Sequence, residues 1–141
     1  MSTSILVPHD GSSHAQAALE YALETFPNAR IVLFHAIDPF ETTSGADQLP
    51  SLTEEWLDSQ RSEANALFER ARDGIDDRGA TFETETDVGT PAQTIVAAVE
   101  QTKTDQIVLG SHGRGGATDS RMGTTAEIVV KRASVPVTVV R

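Results

Sequence analysis

Residues 106–125, QIVLGSHGRGGATDSRMGTT, run from a short apolar segment through a glycine-rich stretch to the beginning of a helix. Gln106–Leu109 has the length and apolar character of a buried strand. Thr124–Arg132 has helical spacing, and Thr124 with Glu127 predicts a capping box at its beginning. The stretch therefore predicts a strand, a loop and a helix in succession, which is the repeating unit of parallel α/β sheets.

The same alternation continues outward to both ends of the chain. Apolar or alternating runs predict strands at Ser4–Pro8, Ile31–Ile37, Thr81–Val88, Gln106–Leu109 and Val135–Val140. Helical spacing predicts helices over Ser13–Phe26 and Thr53–Arg78, one that begins at Thr90–Gln93, and Thr124–Arg132. Ser13 with Gln16, and Thr90 with Gln93, predict two further capping boxes. We expect one domain over residues 1–141, an α/β fold with an open, mainly parallel five-stranded sheet and helices on both faces.

Two segments depart from the regular pattern. Thr81–Val88 alternates apolar residues or threonine with acids, which predicts a strand that is exposed on one face or lies at the edge of the sheet. Asp38–Leu52 has no period and contains scattered Pro, Gly, Ser and Thr, which predicts a loop.

Charge and composition disfavour several classes of function. Asp and Glu number 21 against 11 for Lys and Arg, a formal net charge of -10, and such a surface repels nucleic-acid phosphates. No apolar run approaches the roughly 20 residues that a membrane span needs. The absence of cysteine excludes disulfides and thiolate metal sites and makes a cytoplasmic location the default. The only lysines are Lys103 and Lys131, which favours adaptation to high salt over an ordinary acidic surface.

Three polar segments follow predicted strands at their carboxyl ends. They are residues 8–12 (PHDGS), residues 35–38 (HAID) and residues 110–116 (GSHGRGG). In an open parallel sheet, ligands bind outside the carboxyl ends of the strands, near the point where strand order reverses. The three segments together therefore predict a binding site at this edge.

The glycine-rich segment has features suited to a phosphate. Gly110 and Gly113 permit close approach of backbone to ligand and unusual backbone dihedrals. Gly123 precedes a helix whose first amides lack intrahelical partners, and a phosphate there gains several hydrogen bonds at once. Hydroxyls and positive charge for the same purpose come from Thr124, Thr125, Arg114 and Arg121. The alternative is that the glycines only mark a flexible connection and Thr124 only caps the helix.

Neither of two common phosphate motifs is present. The segment lacks the Gly-Lys-Ser/Thr ending of a Walker loop, and the first strand is followed by Asp10-Gly11-Ser12 rather than by the dinucleotide fingerprint. The spacing Gly110-x-x-Gly113, nine residues, Gly123-Thr124 instead resembles the Gly-2x-Gly-9x-Gly-Ser/Thr pattern of the ATP-binding branch of the universal stress protein family. Residues 5–12, 32–38, 89–91 and 135–140 are similar to that family as well, so the resemblance covers the whole chain.

The resemblance implies a Rossmann-like sheet of strand order 3-2-1-4-5 with a nucleotide across its carboxyl edge. Asp10 is then placed on the ribose or adenine side, with Pro8 and His9 beside it. Ala36, where the family more often has Val, would meet adenine through its backbone. The remaining implied contacts are Leu109, Gly110 and Gly113 along the ribose and phosphates, and Gly123, Thr124 and Thr125 at the phosphate tail, with Arg114 to neutralise charge. The alternative for Asp10 is a cap on the helix that begins near Ser13.

The four histidines give no metal-ligand spacing. His9 and His112 lie on the predicted pocket loops, His35 is expected to be packed and hydrogen-bonded, and His14 to be solvated. Ser111 and His112 are adjacent, which does not by itself place a base on a nucleophile. Mg²⁺ would enter on nucleotide phosphates with few protein ligands.

These features favour a sensor or switch that binds ATP, AMP or ADP, with at most slow hydrolysis, because no general base or Walker lysine is evident. Cyclic AMP presents the same groups. One alternative is an enzyme that transfers AMP, with Asp38–Leu52 as the wall of its acceptor pocket. Another is an interaction protein without a nucleotide. The last strand, Val135–Val140, is apolar and terminal, and at the edge of a sheet its unpaired backbone predicts a homodimer. The family resemblance implies such a dimer as well.

The acidic composition predicts that salt stabilises the fold. Raising KCl to molar concentration screens the repulsion among the excess carboxylates and should raise the midpoint of thermal unfolding. Circular dichroism melts between low and molar KCl measure this. A midpoint that does not move with KCl contradicts adaptation to high salt.

Overall fold

The computed structural model describes residues 3–40, 53–113 and 122–141. Within these ranges the strands are β1 (Ser4–Pro8), β2 (Arg30–Ile37), β3 (Thr81–Val88), β4 (Gln106–Gly110) and β5 (Val137–Val140). The helices are α1 (Ser13–Thr25), α2 (Glu54–Arg72), α3 (Pro91–Thr102) and α4 (Thr124–Arg132). The sheet has the order β3-β2-β1-β4-β5, and each neighbouring pair is parallel. The expected Rossmann-like α/β fold and its strand order are confirmed.

β1 is the central strand and is buried on both faces. Ile5, Leu6 and Val7 are each 0% exposed. Ile5 and Val7 belong to the apolar cluster beneath α1 and α2, whereas Leu6 belongs to the cluster beneath α3 and α4. Because successive side chains of a strand point to opposite faces, this one strand anchors both helical layers.

The carboxyl edge of the sheet is notched at β1. β1 pairs with β2 only as far as Pro8 opposite Phe34, while β2 continues to Ile37. On the other side β4 continues to Gly110. The chain leaves the sheet after Pro8, so the ends of β2 and β4 border an opening at the point where strand order reverses.

β3 lies at one edge of the sheet, as its alternating pattern predicts, and most of its residues are exposed. Arg30 of β2 holds it by a two-pronged ion pair in which Nε lies 2.5 Å and Nη2 3.0 Å from the carboxylate oxygens of Glu83. Hydrogen bonding to Glu83 raises the pKa of Arg30, and the same bond lowers the pKa of Glu83.

Two predicted boundaries were wrong by more than one residue. α2 ends at Arg72, six residues before Arg78, because Gly74 adopts a left-handed conformation (φ 71°) that terminates the helix. β5 begins at Val137 rather than Val135, after Pro136, which has no N–H to contribute to a ladder.

Two of the three predicted capping boxes were wrong in position, and for the third only the N-cap position of Thr90 and the first-turn position of Pro91 are confirmed. α1 is capped by Ser12, whose Oγ accepts from Ala15 N at 3.1 Å, and Gln16 is used elsewhere. Thr90 occupies the N-cap of α3, but its side chain makes no cap hydrogen bond. Gly123 is the N-cap of α4, which places Thr124 inside the first turn. Shifting a cap by one residue removes the geometry that the box needs.

The predicted loop Asp38–Leu52 lies outside the described residues except at its start, where Phe40 N donates to Asp38 Oδ1 at 3.0 Å. The proposed wall of an acceptor pocket is therefore also outside them. Among the described helices, none is both long and apolar enough to cross a membrane.

Candidate functional site

A cavity of about 510 Å³ opens at the notch in the carboxyl edge. Its lining brings together the predicted residues Pro8, His9, Asp10, Ala36, Leu109, Gly110, Gly113, Gly123, Thr124 and Thr125. Arg114 and Arg121 lie outside the described residues. Three loops that are distant in sequence thus form one concave surface.

Asp10 stands at the turn between β1 and α1. Its Oδ1 accepts from Ser12 N at 3.0 Å, which tightens the turn, while Ser12 caps the helix. Asp10 is therefore not the cap of α1. A Cβ atom on Gly113 would lie 2.6 Å from Asp10 Oδ2, so the carboxylate reaches across to the glycine-rich loop. This places a carboxylate between two of the loops that line the cavity.

Gly110 is needed for packing within the protein. A Cβ there would lie 2.6 Å from the carbonyl carbon and 2.7 Å from the carbonyl oxygen of His14, so the first turn of α1 passes directly over the end of β4. Gly110, Gly113 and Gly123 do not have positive φ. The prediction of unusual dihedrals at Gly110 and Gly113 was therefore wrong: their common feature is close approach by other protein atoms.

The N-terminus of α4 faces the cavity. Glu127 N donates to Gly123 O at 3.0 Å in the first intrahelical bond, so the amides of Thr124, Thr125 and Ala126 precede the hydrogen-bonded ladder. All three residues line the cavity. The positive end of the helix dipole lies behind these amides, which favours an anion in front of them.

The base of the glycine-rich loop is closed by main-chain bonds. Gly123 N donates to Ser111 O at 2.6 Å, and Ser111 N donates to Val140 O at 2.8 Å. The loop therefore starts and ends beside the last residue of β5. These bonds fix the N-terminus of α4 relative to the sheet.

Ser111 and His112 are both buried, and Ser111 Oγ lies 3.2 Å from His112 Nδ1. The rings of His112 and His14 are 5.3 Å apart at an interplanar angle of 52°. His14 is half-buried, so the prediction that it is solvated was wrong. Ser111 and His14 therefore both contact His112, an arrangement that the adjacency of Ser111 and His112 in the sequence did not by itself establish.

His35 and His9 are joined where β1 leaves the sheet. His35 Nδ1 donates to the carbonyl oxygen of His9 at 2.9 Å, which confirms the expected hydrogen-bonded histidine. Burial lowers the pKa of His9. Among the described residues, no group of three or more His, Asp or Glu is placed to hold a metal ion.

Comparison with known proteins identifies the family. The model of the universal stress protein family matches residues 1–141. The chain belongs to the universal stress protein family. Universal stress protein MJ0577 of Methanocaldococcus jannaschii is 29% identical across 100% of this chain and 96% of its own. A universal stress protein of Thermus aquaticus is 31% identical across 100% of both chains.

Solved structures of the family have the same fold. The structure of MJ0577 covers 99% of this chain and 96% of its own with a TM-score of 0.81 and 30% identity. UspA of Lactobacillus plantarum covers 99% and 97% with a TM-score of 0.78 and 28% identity. The resemblance to the universal stress protein family that was inferred from the glycine spacing is therefore confirmed.

Sequence reasoning missed part of the lining of this universal stress protein. Outside the three predicted segments, the cavity is also bordered by Ala15, Phe34, Pro91, Ile95, Met122 and Ala126. Pro91 and Ile95 come from the first turns of α3, which begins right after β3 ends at the same sheet edge. Ligands bind at the carboxyl ends of the strands in an open parallel sheet. Because the segment Gly89–Pro91 follows β3 at this edge, the same principle predicts that the segment lines the cavity.

The glycine contacts predict an order of stabilities. Gly110→Ala presses a methyl group on the backbone of His14, and should lower the free energy of unfolding by about 1–3 kcal/mol. Gly113→Ala meets a carboxylate at the end of a side chain that can rotate, and should cost less. Urea unfolding of both variants measures the difference. If Gly113→Ala loses as much free energy of unfolding as Gly110→Ala, or more, the close contact between α1 and β4 at Gly110 is contradicted.

Proposed function

We propose that this universal stress protein binds an adenine nucleotide (ATP, ADP or AMP) in the cavity at the notch, and acts as a sensor or switch with at most slow hydrolysis. One observation carries the proposal: a single cavity joins the carboxylate turn at Asp10 to the amide end of α4. These two ends have opposite chemical preferences. A ligand with hydroxyl groups at one end and phosphate at the other satisfies both.

The apolar part of the cavity suits a base, which a nucleotide carries on the other side of the ribose from its phosphates. This apolar surface comes from Phe34, Ala36, Pro91, Ile95 and Leu109. Ala36 lies in the part of β2 that extends beyond the last β1 pair, so its main chain borders the opening. Backbone groups at that position would recognise the adenine edge, and the small side chain leaves room for the ring. A cavity of about 510 Å³ is within the usual range for a small-molecule site.

Asp10 is proposed to accept hydrogen bonds from the ribose hydroxyls. A carboxylate repels phosphates, so the phosphates are assigned to Gly123, Thr124 and Thr125, where amides and hydroxyls donate. Gly113, which packs against Asp10, would then lie beside the ribose. Arg114 would neutralise phosphate charge, a role that stays a prediction.

Family structures support the choice of ligand class. One universal stress protein has been solved in complex with cAMP and another, from Arabidopsis thaliana, with AMP bound. At 23% and 19% identity these structures share the fold, and the nucleotide is assigned here from the chemistry of the cavity. Mg²⁺ would be held mainly by phosphate oxygens. The lack of a Walker lysine supports slow hydrolysis.

The nucleotide proposal predicts a bound ligand that denaturation releases. Chromatography of the supernatant identifies it, and calorimetric titration of nucleotide-free protein with ATP, ADP, AMP and cAMP ranks the phosphate requirement. Gly123→Val puts a branched side chain in front of the α4 amides and should weaken ATP binding at least about tenfold. Ser134→Val, which adds the same side chain at an exposed position beyond the opposite end of α4, should bind like the wild type.

Circular dichroism of both valine variants checks that the fold is retained. Wild-type protein that neither retains nor binds any adenine nucleotide refutes the proposal. Unchanged ATP affinity in a folded Gly123→Val variant contradicts the assignment of the phosphates to the N-terminus of α4.

We also propose a homodimer through the last strand, Val135–Val140. β5 has β4 on one side and lies at the edge of the described sheet. Ile107 N donates to Pro136 O at 2.9 Å, and Ser111 N donates to Val140 O at 2.8 Å. Backbone groups alternate in direction along a strand, so the N–H groups of Val137 and Val139 face the open edge. A second copy would satisfy them.

This proposal predicts that removing one outward N–H disrupts the dimer. Val139→Pro deletes a donor at the open edge without deleting a bond to β4, and should shift the protein to monomer. Val139→Ala keeps the donor and should remain dimeric. Light scattering with size-exclusion chromatography measures the masses. A wild-type monomer, or a Val139→Pro dimer, contradicts pairing through β5.

A further inference from the structure

His9 is held at every polar atom. It is 5% exposed, its main-chain N–H donates to Phe34 O at 2.8 Å, and its carbonyl accepts from His35 Nδ1 at 2.9 Å. Its ring Nδ1 lies 3.0 Å from Gly11 N, and its ring Nε2 lies 2.9 Å from Gln16 Oε1. The residue that links β1 to the Asp10 turn therefore has one defined orientation.

These contacts determine where the ring carries its proton. A backbone N–H only donates, so Nδ1 must accept from Gly11 and carries no hydrogen. Nε2 then carries the hydrogen and donates to Gln16 Oε1. The Gln16 amide is oriented in turn, because its Nε2 donates to the carbonyl oxygen of Ala71 at 2.9 Å. The hydrogen bonds run in one direction from Gly11 to the last turn of α2.

The acceptor at Nδ1 holds a turn that would otherwise be loose. Gly11 has a φ of 88°, a conformation in the left-handed region that glycine permits but does not enforce. Asp10 lies between His9 and Gly11, so the His9 ring bridges over it to fix the backbone on both of its sides. Together with the bond from Ser12 N to Oδ1, this fixes the position of the Asp10 carboxylate above Gly113.

We propose that His9 is a positioning residue whose neutral ring holds the Asp10 turn ready for a nucleotide, and whose protonation releases that turn and weakens binding at acid pH. The inference rests on the proposed nucleotide site. An imidazolium donates from both nitrogens and accepts at neither. On protonation, the N–H of Nδ1 would face the N–H of Gly11, and the turn must open to separate the two donors.

The surroundings of His9 favour the neutral ring. Burial is the largest cause of its lowered pKa, and the charge of His35 on β2 acts in the same direction. The hydrogen bond with Gln16 on α1 and the charge of Asp10 on the same turn oppose it. α2 contributes the neutral carbonyl of Ala71. Because the folded-state pKa lies below the unfolded value, the stabilising effect is complete above pH about 6.5 and is lost as pH falls through the folded pKa.

Two variants separate the two ring nitrogens. His9→Asn places an amide oxygen near the position of Nδ1, keeps an acceptor for Gly11 and cannot titrate. His9→Gln reaches the position of Nε2, keeps the contact with Gln16 and leaves Gly11 without its acceptor. At pH 7.5, ATP should bind His9→Asn within about threefold of the wild type and His9→Gln about tenfold more weakly.

Calorimetric titration with ATP at pH 7.5 and 5.5 tests the switch. Wild-type affinity should fall more than that of His9→Asn, by up to about tenfold for a His9 pKa below about 6.5, because protonation of His9 costs one hydrogen bond and adds a clash of donors. His9→Asn keeps the nucleotide phosphates and every titratable side chain of the protein other than His9, so the difference between the two proteins isolates His9. Equal pH dependence in the two proteins, or wild-type affinity in His9→Gln, overturns the proposal.

A second readout does not require a nucleotide. Hydrogen exchange at the Gly11 amide, corrected for its intrinsic rate, should be less protected at pH 5.5 than at pH 7.5 in the wild type and should not change in His9→Asn. If the wild type and both His9 variants fail to bind ATP while exchange at the Gly11 amide still depends on pH in the wild type, the nucleotide site is refuted and the role of His9 is not. A Gly11 amide that does not respond to pH in the wild type refutes the role of His9.

Discussion

The early end of β1 is the constraint on which the rest of the structure depends. The strand is buried on both faces in the centre of the sheet, yet the chain must leave it after Pro8 while β2 and β4 continue. The polar groups of the buried His9 and of the backbone that follows it need partners. His9, Asp10 and Ser12 supply several of them within one turn. The opening that the chain leaves behind is the cavity.

The glycines of the loop serve the scaffold as well as any ligand. α1 comes against β4 at Gly110, and the Asp10 carboxylate comes against Gly113. The same two positions belong to the spacing that marks the family, so part of that spacing reflects packing. Gly123 has less crowding, with its closest neighbour, Ser111 O, 3.2 Å from an added Cβ, and it has the stronger claim to a role in binding.

The alternation of strands and helices and the edge that carries the cavity could be predicted from the sequence, because apolar runs and helical spacing are local patterns. The strand order did not follow from these patterns and was implied only by the family resemblance. The helix caps were predicted less accurately, since Ser12 rather than Ser13 caps α1. Gln16 was assigned to that cap from spacing, whereas its partners come from residues 9 and 71. Contacts between such distant residues exist only after the sheet and helices have packed. The contact of His14 with His112 escaped prediction for the same reason.

The bond from Gly123 N to Ser111 O has a consequence for the length of the glycine-rich loop. It closes the loop at its base, so the sheet and α4 depend on the two ends and not on the residues between them. Doubling the length of a flexible closed loop costs only about 0.6 kcal/mol, so the scaffold would tolerate longer or shorter versions. An insertion among the nine residues between Gly113 and Gly123 should therefore leave the free energy of unfolding nearly unchanged.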